Sequence, residues 1–382
     1  MNPKRSIFEE VGGDAPAVRA TPKGNLIDGA GRGARKAIRI WLFVLFALVV
    51  AMIAVGGATR LTDSGLSITE WKPVTGALPP MNTADWQAEF SKYQATPQYA
   101  LMNADMTLAQ FKGIFWWEWA HRQLGRLIGM VWAVGFFGFL LARKIPTGWT
   151  GRLLFVGALG GLQGAIGWWM VSSGLVGDMT SVASYRLATH LGIAFFILGV
   201  IAWYAMLLGR READLLQARR LAEPKLYGMA TGVLHLTFLQ ILLGALVAGI
   251  DAGRGFTDWP LMGGQFLPPD PLSIAPIWRN FFEDPGLVQF IHRMMGYLVF
   301  TFGVVVAVLG RRSAHQATRT AFAWMGAWLF VQVGLGIVTL MHGAPLHLGL
   351  AHQLGAVVAF VLILRARFLA RYPVVQSIRG MK

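Results

Sequence analysis

The chain alternates long apolar stretches with short polar ones, and the apolar stretches are long enough to cross a bilayer, which takes roughly 20 residues of helix. Six of them are free of charge: Ile40 to Thr59, Leu153 to Gly177, Leu187 to Gly209, Leu226 to Ile250, Thr320 to Met341 and Gly343 to Leu364. Two more open on a polar turn and then run apolar, from Trp119 to Ala142 and from Gln289 to Gly310. The pattern predicts an all-α membrane protein with eight transmembrane helices.

The make-up of the chain agrees. Of 382 residues, 55% are hydrophobic and 14% charged, whereas soluble domains carry about a quarter charged residues. A net charge of +15 raises the question of nucleic acid, and the placement of the charges answers it. Arg143, Lys144 and Arg152 lie between the second and third stretches, Arg210, Arg211, Arg219, Arg220 and Lys225 between the fourth and fifth, and Arg311, Arg312 and Arg319 between the sixth and seventh. The loops of opposite parity hold Asp63, Glu70, Asp85, Glu89, Asp178, Asp251, Asp258, Glu283 and Asp284. By the positive-inside rule the basic loops and both termini are cytoplasmic. The chain then reads as a multi-pass protein of the cell inner membrane, with the lipid bilayer as its partner and no nucleic acid. Residues 1–37 are basic, rich in Gly and Ala, and read as a disordered cytoplasmic tail with no cleavable signal peptide. The absence of cysteine excludes disulfides, iron–sulfur clusters and thiolate-ligated haem.

The sequence repeats itself. Asp63-x-Gly65, Thr69-Glu70-Trp71, Gly76 and Pro80 follow the first stretch, and Asp251-x-Gly253, Thr257-Asp258-Trp259, Gly264 and Pro268 follow the fifth at the same spacings. His121-Arg122-x-x-Gly125 opens the second stretch and His292-Arg293-x-x-Gly296 the sixth; Gln163 and Gly167 match Gln332 and Gly336; His190 matches His352. An even number of spans per copy makes the copies parallel four-helix repeats. The expected organisation is a first repeat over 38–210 with a long outer loop over 60–117, a basic linker over 211–225, a second repeat over 226–370 and a short cytoplasmic tail over 371–382.

Histidine inside a membrane is costly and marks interior, functional positions. His121, His190, His292 and His352 all fall near the outer ends of even-numbered spans, so each copy offers two imidazoles on separate helices. Such a pair suits the axial positions of a haem iron better than a tetrahedral zinc site, which needs more ligands. Gly125, Gly129, Gly192, Gly296 and Gly355 are expected to let a flat macrocycle approach the backbone, and Arg122, Arg126 and Arg293 to pair with its propionates. His315 reads as a solvated loop residue, His235 as a hydrogen-bonding core residue, and His342 and His347 as members of an exposed loop. Trp116, Trp117 and Trp119 read first as an interfacial belt.

The copies differ in one chemically telling position. Glu118 stands three residues before His121, on the same helical face, and Gln289 stands three before His292. A carboxylate there can move a proton or stabilise a cation. The first outer loop is also the longer, and Asn82 to Ala100, with its alternating polar and aromatic residues, is expected to form helices over the site. The first copy therefore reads as the reaction site and the second as an electron relay.

The strings Gly65-Leu66-Ser67-Ile68-Thr69-Glu70-Trp71-Lys72-Pro73-Val74-Thr75-Gly76 and Phe115-Trp116-Trp117-Glu118-Trp119-Ala120-His121-Arg122, with the paired late histidines, resemble the haem A synthase family over about Ile40 to Ala370. The resemblance implies oxidation of the C8 methyl group of haem O to a formyl group, giving haem A, in successive two-electron steps. It implies that His121 and His190, with Arg122, hold the substrate haem, that His292 and His352, with Arg293, hold a haem b, and that Glu118 is the catalytic carboxylate. Haem O synthase and cytochrome oxidase assembly factors are the partners it implies. Some members carry a cysteine pair in the outer loop, and this chain has none. Two other readings stay open on the residues alone: a dihaem b-type cytochrome passing electrons between quinone and a partner, and a haem transporter. The oxygen source, the electron donor and the oligomeric state are not legible.

Overall fold

A computed structural model of the chain describes residues 32–374. Of the tail expected over 1–37, residues 1–31 lie outside the described part, and residues 32–37 are the first turns of a helix; of the tail expected over 371–382, residues 375–382 lie outside it. The described residues are helical and loop, with helices α1 (Arg32–Leu61), α2 (Thr83–Gln94), α3 (Pro97–Met102), α4 (Leu108–Leu141), α5 (Thr150–Ser173), α6 (Ser184–Leu208), α7 (Glu212–Arg220), α8 (Pro224–Gly249), α9 (Asn280–Glu283), α10 (Pro285–Gly310), α11 (Gln316–Met341) and α12 (Leu346–Arg371). Eight of them are long and apolar enough to cross a membrane: α1, α4, α5, α6, α8, α10, α11 and α12.

The boundaries move where end chemistry outweighs hydropathy. The long outer loop expected to end at residue 117 ends at 107, because Thr107 caps α4 and pairs reciprocally with Gln110, a capping box that starts the helix eleven residues before the apolar run. The linker expected over 211–225 contains α7, whose Leu215 and Ala218 are buried against the bundle. Asn82 and Thr96 cap α2 and α3, the two helices that the segment from Asn82 to Ala100 was expected to form. Helix α2 docks through Trp86, Phe90 and Tyr93 on Phe111 and Phe115 of the early turns of α4, and Tyr99 of α3 packs against the same cluster.

The spanning helices form two groups of four. In one, α1 packs on α4 and α6, and α5 on α6; in the other, α8 packs on α10 and α12, and α11 on both α10 and α12. The groups meet where α6 lies on α8 and α1 on α12. At one end of the bundle Arg60 ties them together, with Nη1 donating to Asp63 (2.8 Å) and Nη2 to Asp251 (2.9 Å). Both aspartates are left-handed, at φ 52°. At the other end Arg35 donates to the Arg210 carbonyl (2.9 Å) and Arg210 to the Tyr372 carbonyl (2.6 Å), so the start of α1, the basic connections and the end of α12 share one end.

Helix–helix contact in lipid relies on close packing of small residues. Gly135 of α4 lies directly under the indole of Trp41 of α1, whose Nε1 donates to the Val131 carbonyl (2.9 Å). Gly138, one turn on, has nothing within 4 Å of where a Cβ would stand. Gly135→Ala should therefore destabilise the protein by roughly 1–3 kcal/mol through overpacking, while Gly138→Ala should leave it unchanged or slightly stabler. Thermal unfolding of the two variants in the same detergent checks this; equal melting temperatures would contradict the packing described.

Candidate functional site

The structure brings the four matched histidines into two pairs of helices. His121 of α4 and His190 of α6 face each other with ring centroids 6.5 Å apart and planes inclined by 29°. His292 and His352 stand on α10 and α12. Each imidazole rests on a glycine of a neighbouring helix: a Cβ at Gly56 would lie 2.8 Å from the His121 ring, and one at Gly167, Gly244 or Gly336 would lie 3.0 Å from the ring of His190, His292 or His352. A larger residue at any of these four positions would press on the ring above it.

Three of the four histidines are also held by a glutamine one turn before that glycine. Gln163 Nε2 donates to the His190 carbonyl (2.9 Å), Gln240 to that of His292 (3.0 Å) and Gln332 to that of His352 (3.0 Å). Each amide also lies against the ring it serves, at 3.3 Å from His190 Nε2, 3.1 Å from His292 Nδ1 and 3.2 Å from His352 Nδ1. The fourth place, below His121, is taken by Met52, which can offer no such donor. Sequence reasoning noted Gln163 and Gln332 only as marks of duplication and missed Gln240, Met52, Gly56 and Gly244. The signal was present as Gln-x-x-x-Gly, the spacing of one helical turn, at 163/167, 240/244 and 332/336.

The glycines expected to admit a macrocycle do other work. Gly296 makes room for the Gln240 amide (3.3 Å), Gly355 for Gln332, Gly125 faces Met52 (3.5 Å) and Gly192 faces Leu242 (2.6 Å); of the five, Gly129 alone faces open space. The arginines are likewise engaged inside the protein. Glu118 is 4% exposed, and its Oε2 accepts from Ser67 Oγ (2.8 Å) and the Ile68 amide (2.7 Å). Its Oε1 accepts from Arg122 Nη2 (2.7 Å) and Nε (3.1 Å). Arg122 also donates to the carbonyls of Glu70 (2.8 Å) and Ile68 (2.6 Å). The counterpart is built alike with opposite polarity: Gln289 Nε2 donates to the Ala252 (2.7 Å) and Phe256 (3.1 Å) carbonyls, and its oxygen accepts from Arg293 Nη2 (2.9 Å). Arg293 Nη1 donates to the carbonyls of Asp258 (3.0 Å) and Leu261 (2.9 Å). Both arginines thus clamp the loop after the preceding span, and Arg126 donates to the Pro73 carbonyl (2.8 Å) in the same way. A carboxylate was recognisable from the sequence; its burial among four donors was not.

Over this clamp lies a cavity of about 260 Å³ between the 68–80 loop, α2 and the outer part of α4, lined by Ile68, Glu70, Asp85, Glu89, Trp119 and Arg122 among others. Lys92 Nζ staples α2 to the loop, at 2.7 Å from both Glu70 and Glu89. Hydrogen bonds from Lys72 and then Lys92 hold the Glu70 carboxyl down to about 2, so the staple stays charged across the neutral range. Across the molecule, the amides of Gly264 and Gly263 hold the Asp258 carboxyl below the usual carboxylate range.

The remaining histidines are peripheral. His235 is exposed, with Nδ1 2.8 Å from its own helix at the Thr231 carbonyl, so the core position expected for it is not observed. His342 and His347 are exposed, and His342 Nδ1 lies 2.8 Å from the Val338 carbonyl. His315 stands at the start of α11. Trp116 and Trp117 are exposed, as a belt requires, while Trp119 is half-buried. Among the described residues no three His, Asp or Glu side chains cluster as metal ligands.

The family of cytochrome oxidase assembly proteins designated COX15-CtaA matches residues 39–364. The heme A synthase of Ruegeria sp. (strain TM1040) is 67% identical over 378 residues, covering 98% of this chain and 99% of that protein. Those of Ruegeria pomeroyi and Paracoccus denitrificans are 66% and 63% identical, covering 100% and 99% of both chains respectively. A match that spans every membrane helix from α1 to α12, joined to full-length relatives at this identity, shows that the chain belongs to the COX15-CtaA family of cytochrome oxidase assembly proteins.

Proposed function

We propose that the protein is a haem A synthase that oxidises the C8 methyl group of haem O to a formyl group in successive two-electron steps. The observation that carries the reading is identity of 66% over the full length of both chains to a protein named for that activity. The two four-helix groups are read as parallel repeats over 38–210 and 226–370, with termini and basic connections in the cytoplasm of a cell inner membrane. Haem O would lie between His121 and His190, and a resident haem b between His292 and His352.

The donor set fits that assignment. The second pair is imidazole on both sides with no thiolate, and Gln240 Oε1, Gln332 Oε1 and Arg293 Nε are buried without partners. Haem b, when bound, supplies a one-electron relay. The chain's own residues do the rest. Gln240 and Gln332 hold both relay histidines by backbone and ring, and a fixed ligand geometry lowers the rearrangement that accompanies electron transfer. His121 lacks that brace, which leaves the substrate side free to take up and release its haem. Glu118, one turn from His121, places a buried negative group where positive charge develops on the substrate or where a proton must leave. Gln289 offers neither at the relay.

His292→Ala or His352→Ala should abolish the low-spin haem b spectrum and, with it, turnover, because one axial imidazole is gone. Redox-titrated visible spectra of the purified variants check this, and an unchanged potential in either would refute the relay assignment. A reporter fused after Lys382 should be active on the cytoplasmic side and one inserted in Asn82 to Ala100 on the outer side; the opposite pattern would invert the orientation.

Glu118→Gln keeps an acceptor for Arg122 and removes the charge and the exchangeable proton. Turnover should fall on the order of 100-fold, as for loss of a positioned acid–base group. Extracted pigments should then show haem O or a hydroxylated intermediate accumulating while haem b stays at wild-type occupancy. Gln289→Glu should leave product formation nearly intact. Haem A production at the wild-type rate by Glu118→Gln would remove the carboxylate from the chemistry.

A further inference from the structure

The two helix groups differ where their second and third spanning helices meet. Eight residues after His292, Phe300 of α10 packs edge-on against Phe330 of α11, ring centroids 4.9 Å apart, at 89°. Beside them Leu329 drives into Gly303, Phe322 covers Gly310, and a Cβ at Gly326 would lie 2.7 Å from Ala307. That seam is closed from the Phe300–Phe330 pair inward to Gly310, while Gly334, outward of Phe330 on α11, faces open space.

The matching seam between α4 and α5 is not. Eight residues after His121 stands Gly129, in the place of Phe300; two residues before Gln163 stands Gly161, in the place of Phe330 before Gln332. Gly160 stands where Leu329 does. Gly129, Gly160, Gly161 and Gly164 each have nothing within 4 Å of a Cβ position. The helices show the consequence: 6% of the most apolar part of α4 and 11% of that of α5 are buried, against 33% for α10 and 28% for α11. The gap has a floor. Trp132 covers Gly157, donates from Nε1 to the Leu153 carbonyl (3.1 Å) and stacks on Phe136 at 5.3 Å and 7°. At a rise of about 1.5 Å per residue, Gly129 lies roughly 12 Å inward of His121 along α4. On α5, Gly164 lies between Gln163 and Gly167, the two residues that hold His190, and the buried His190 Nδ1 and Gln163 Oε1 have no partner.

A closed seam beside one histidine pair and a floored slot beside the other match the chemical difference between the two pigments. Haem O carries a hydroxyethylfarnesyl group where haem b carries a vinyl, on a pyrrole away from the two propionate-bearing ones. With the propionate edge toward the polar outer end, the farnesyl group points inward, along the slot. Resting on the assignment of the first group as the substrate site, we propose that the glycine-lined slot between α4 and α5 seats the isoprenoid tail of the substrate, and that the Phe300–Phe330 pair denies such a tail to the second group. The slot then selects the haem that is to be oxidised, and it gives a long apolar chain a path to the lipid while the ring stays between the histidines.

The test recreates the closed seam in the first group by Gly129→Phe with Gly161→Phe, in full-length protein in nanodiscs. Haem O and protohaem are titrated separately into the first site and read by the absorbance of the bound pigment, with second-site haem b as a control for folding. Affinity for haem O should fall about tenfold or more, the loss expected when an apolar tail is shut out, with protohaem affinity changed less than about threefold on the same arithmetic. The converse pair, Phe300→Gly with Phe330→Gly, should let the second site retain haem O from cells that make both pigments. Unchanged haem O binding by the filled variant would overturn the proposal and leave the slot to a lipid chain or a second copy of the protein. Equal loss of both pigments would overturn it too, as a packing effect; if the filled variant loses its haem b and does not fold, exclusion of haem O by the opened second site decides against it. Wild-type protein that takes up neither pigment at the first site would instead refute the substrate-site assignment itself.

Discussion

The fold depends on keeping imidazoles in a fixed place inside hydrocarbon. A ring there has no water to bond to, and every polar atom around it must be satisfied by the protein or by a ligand. The answer is the same on three helices: a glycine against which Cε1 of the ring packs and, one turn earlier, a glutamine whose amide reaches the histidine's own carbonyl. This arrangement requires the neighbouring helix to come within van der Waals contact of the ring, which fixes the spacing of α5 from α6, α8 from α10 and α11 from α12. Each of these helix pairs is thus joined through a histidine, its glycine and its glutamine.

Against that common frame, Met52 below His121 is a departure with a physical meaning. A thioether fills the space of a glutamine without supplying its donors, so the ring is packed but not tethered. His292 and His352 are both held by a glutamine, whereas of the other pair only His190 is.

The clamp formed by Glu118 and Arg122 has a mechanical counterpart in Gln289 and Arg293. Both tie the start of a spanning helix to the loop that precedes it, one through a carboxylate that accepts from loop donors, the other through an amide that donates to loop carbonyls. Since the neutral version suffices to hold the loop, the buried ion pair in the first group is not explained by folding alone. Burying a charge is unfavourable unless it is fully paired, and here all four contacts to the carboxylate are made by donors.

The sequence by itself determined the eight spans, the duplication, the pairing of His121 with His190 and of His292 with His352, and the contrast of Glu118 with Gln289. These follow from hydropathy and from one-dimensional spacing, which survive any packing. It misplaced the start of α4, because a capping box lies outside the apolar run, and it did not show that Arg122 and Arg293 clamp the preceding loops, because a loop carbonyl has no signature in sequence. It also put His235 in the core. Only the tertiary structure decided which glycines lie under the rings, which face open space, and that one seam is shut by aromatic rings while its twin is open. A glycine reads the same in sequence whether it admits a neighbour or leaves a void; the difference lies in what the facing helix brings to it.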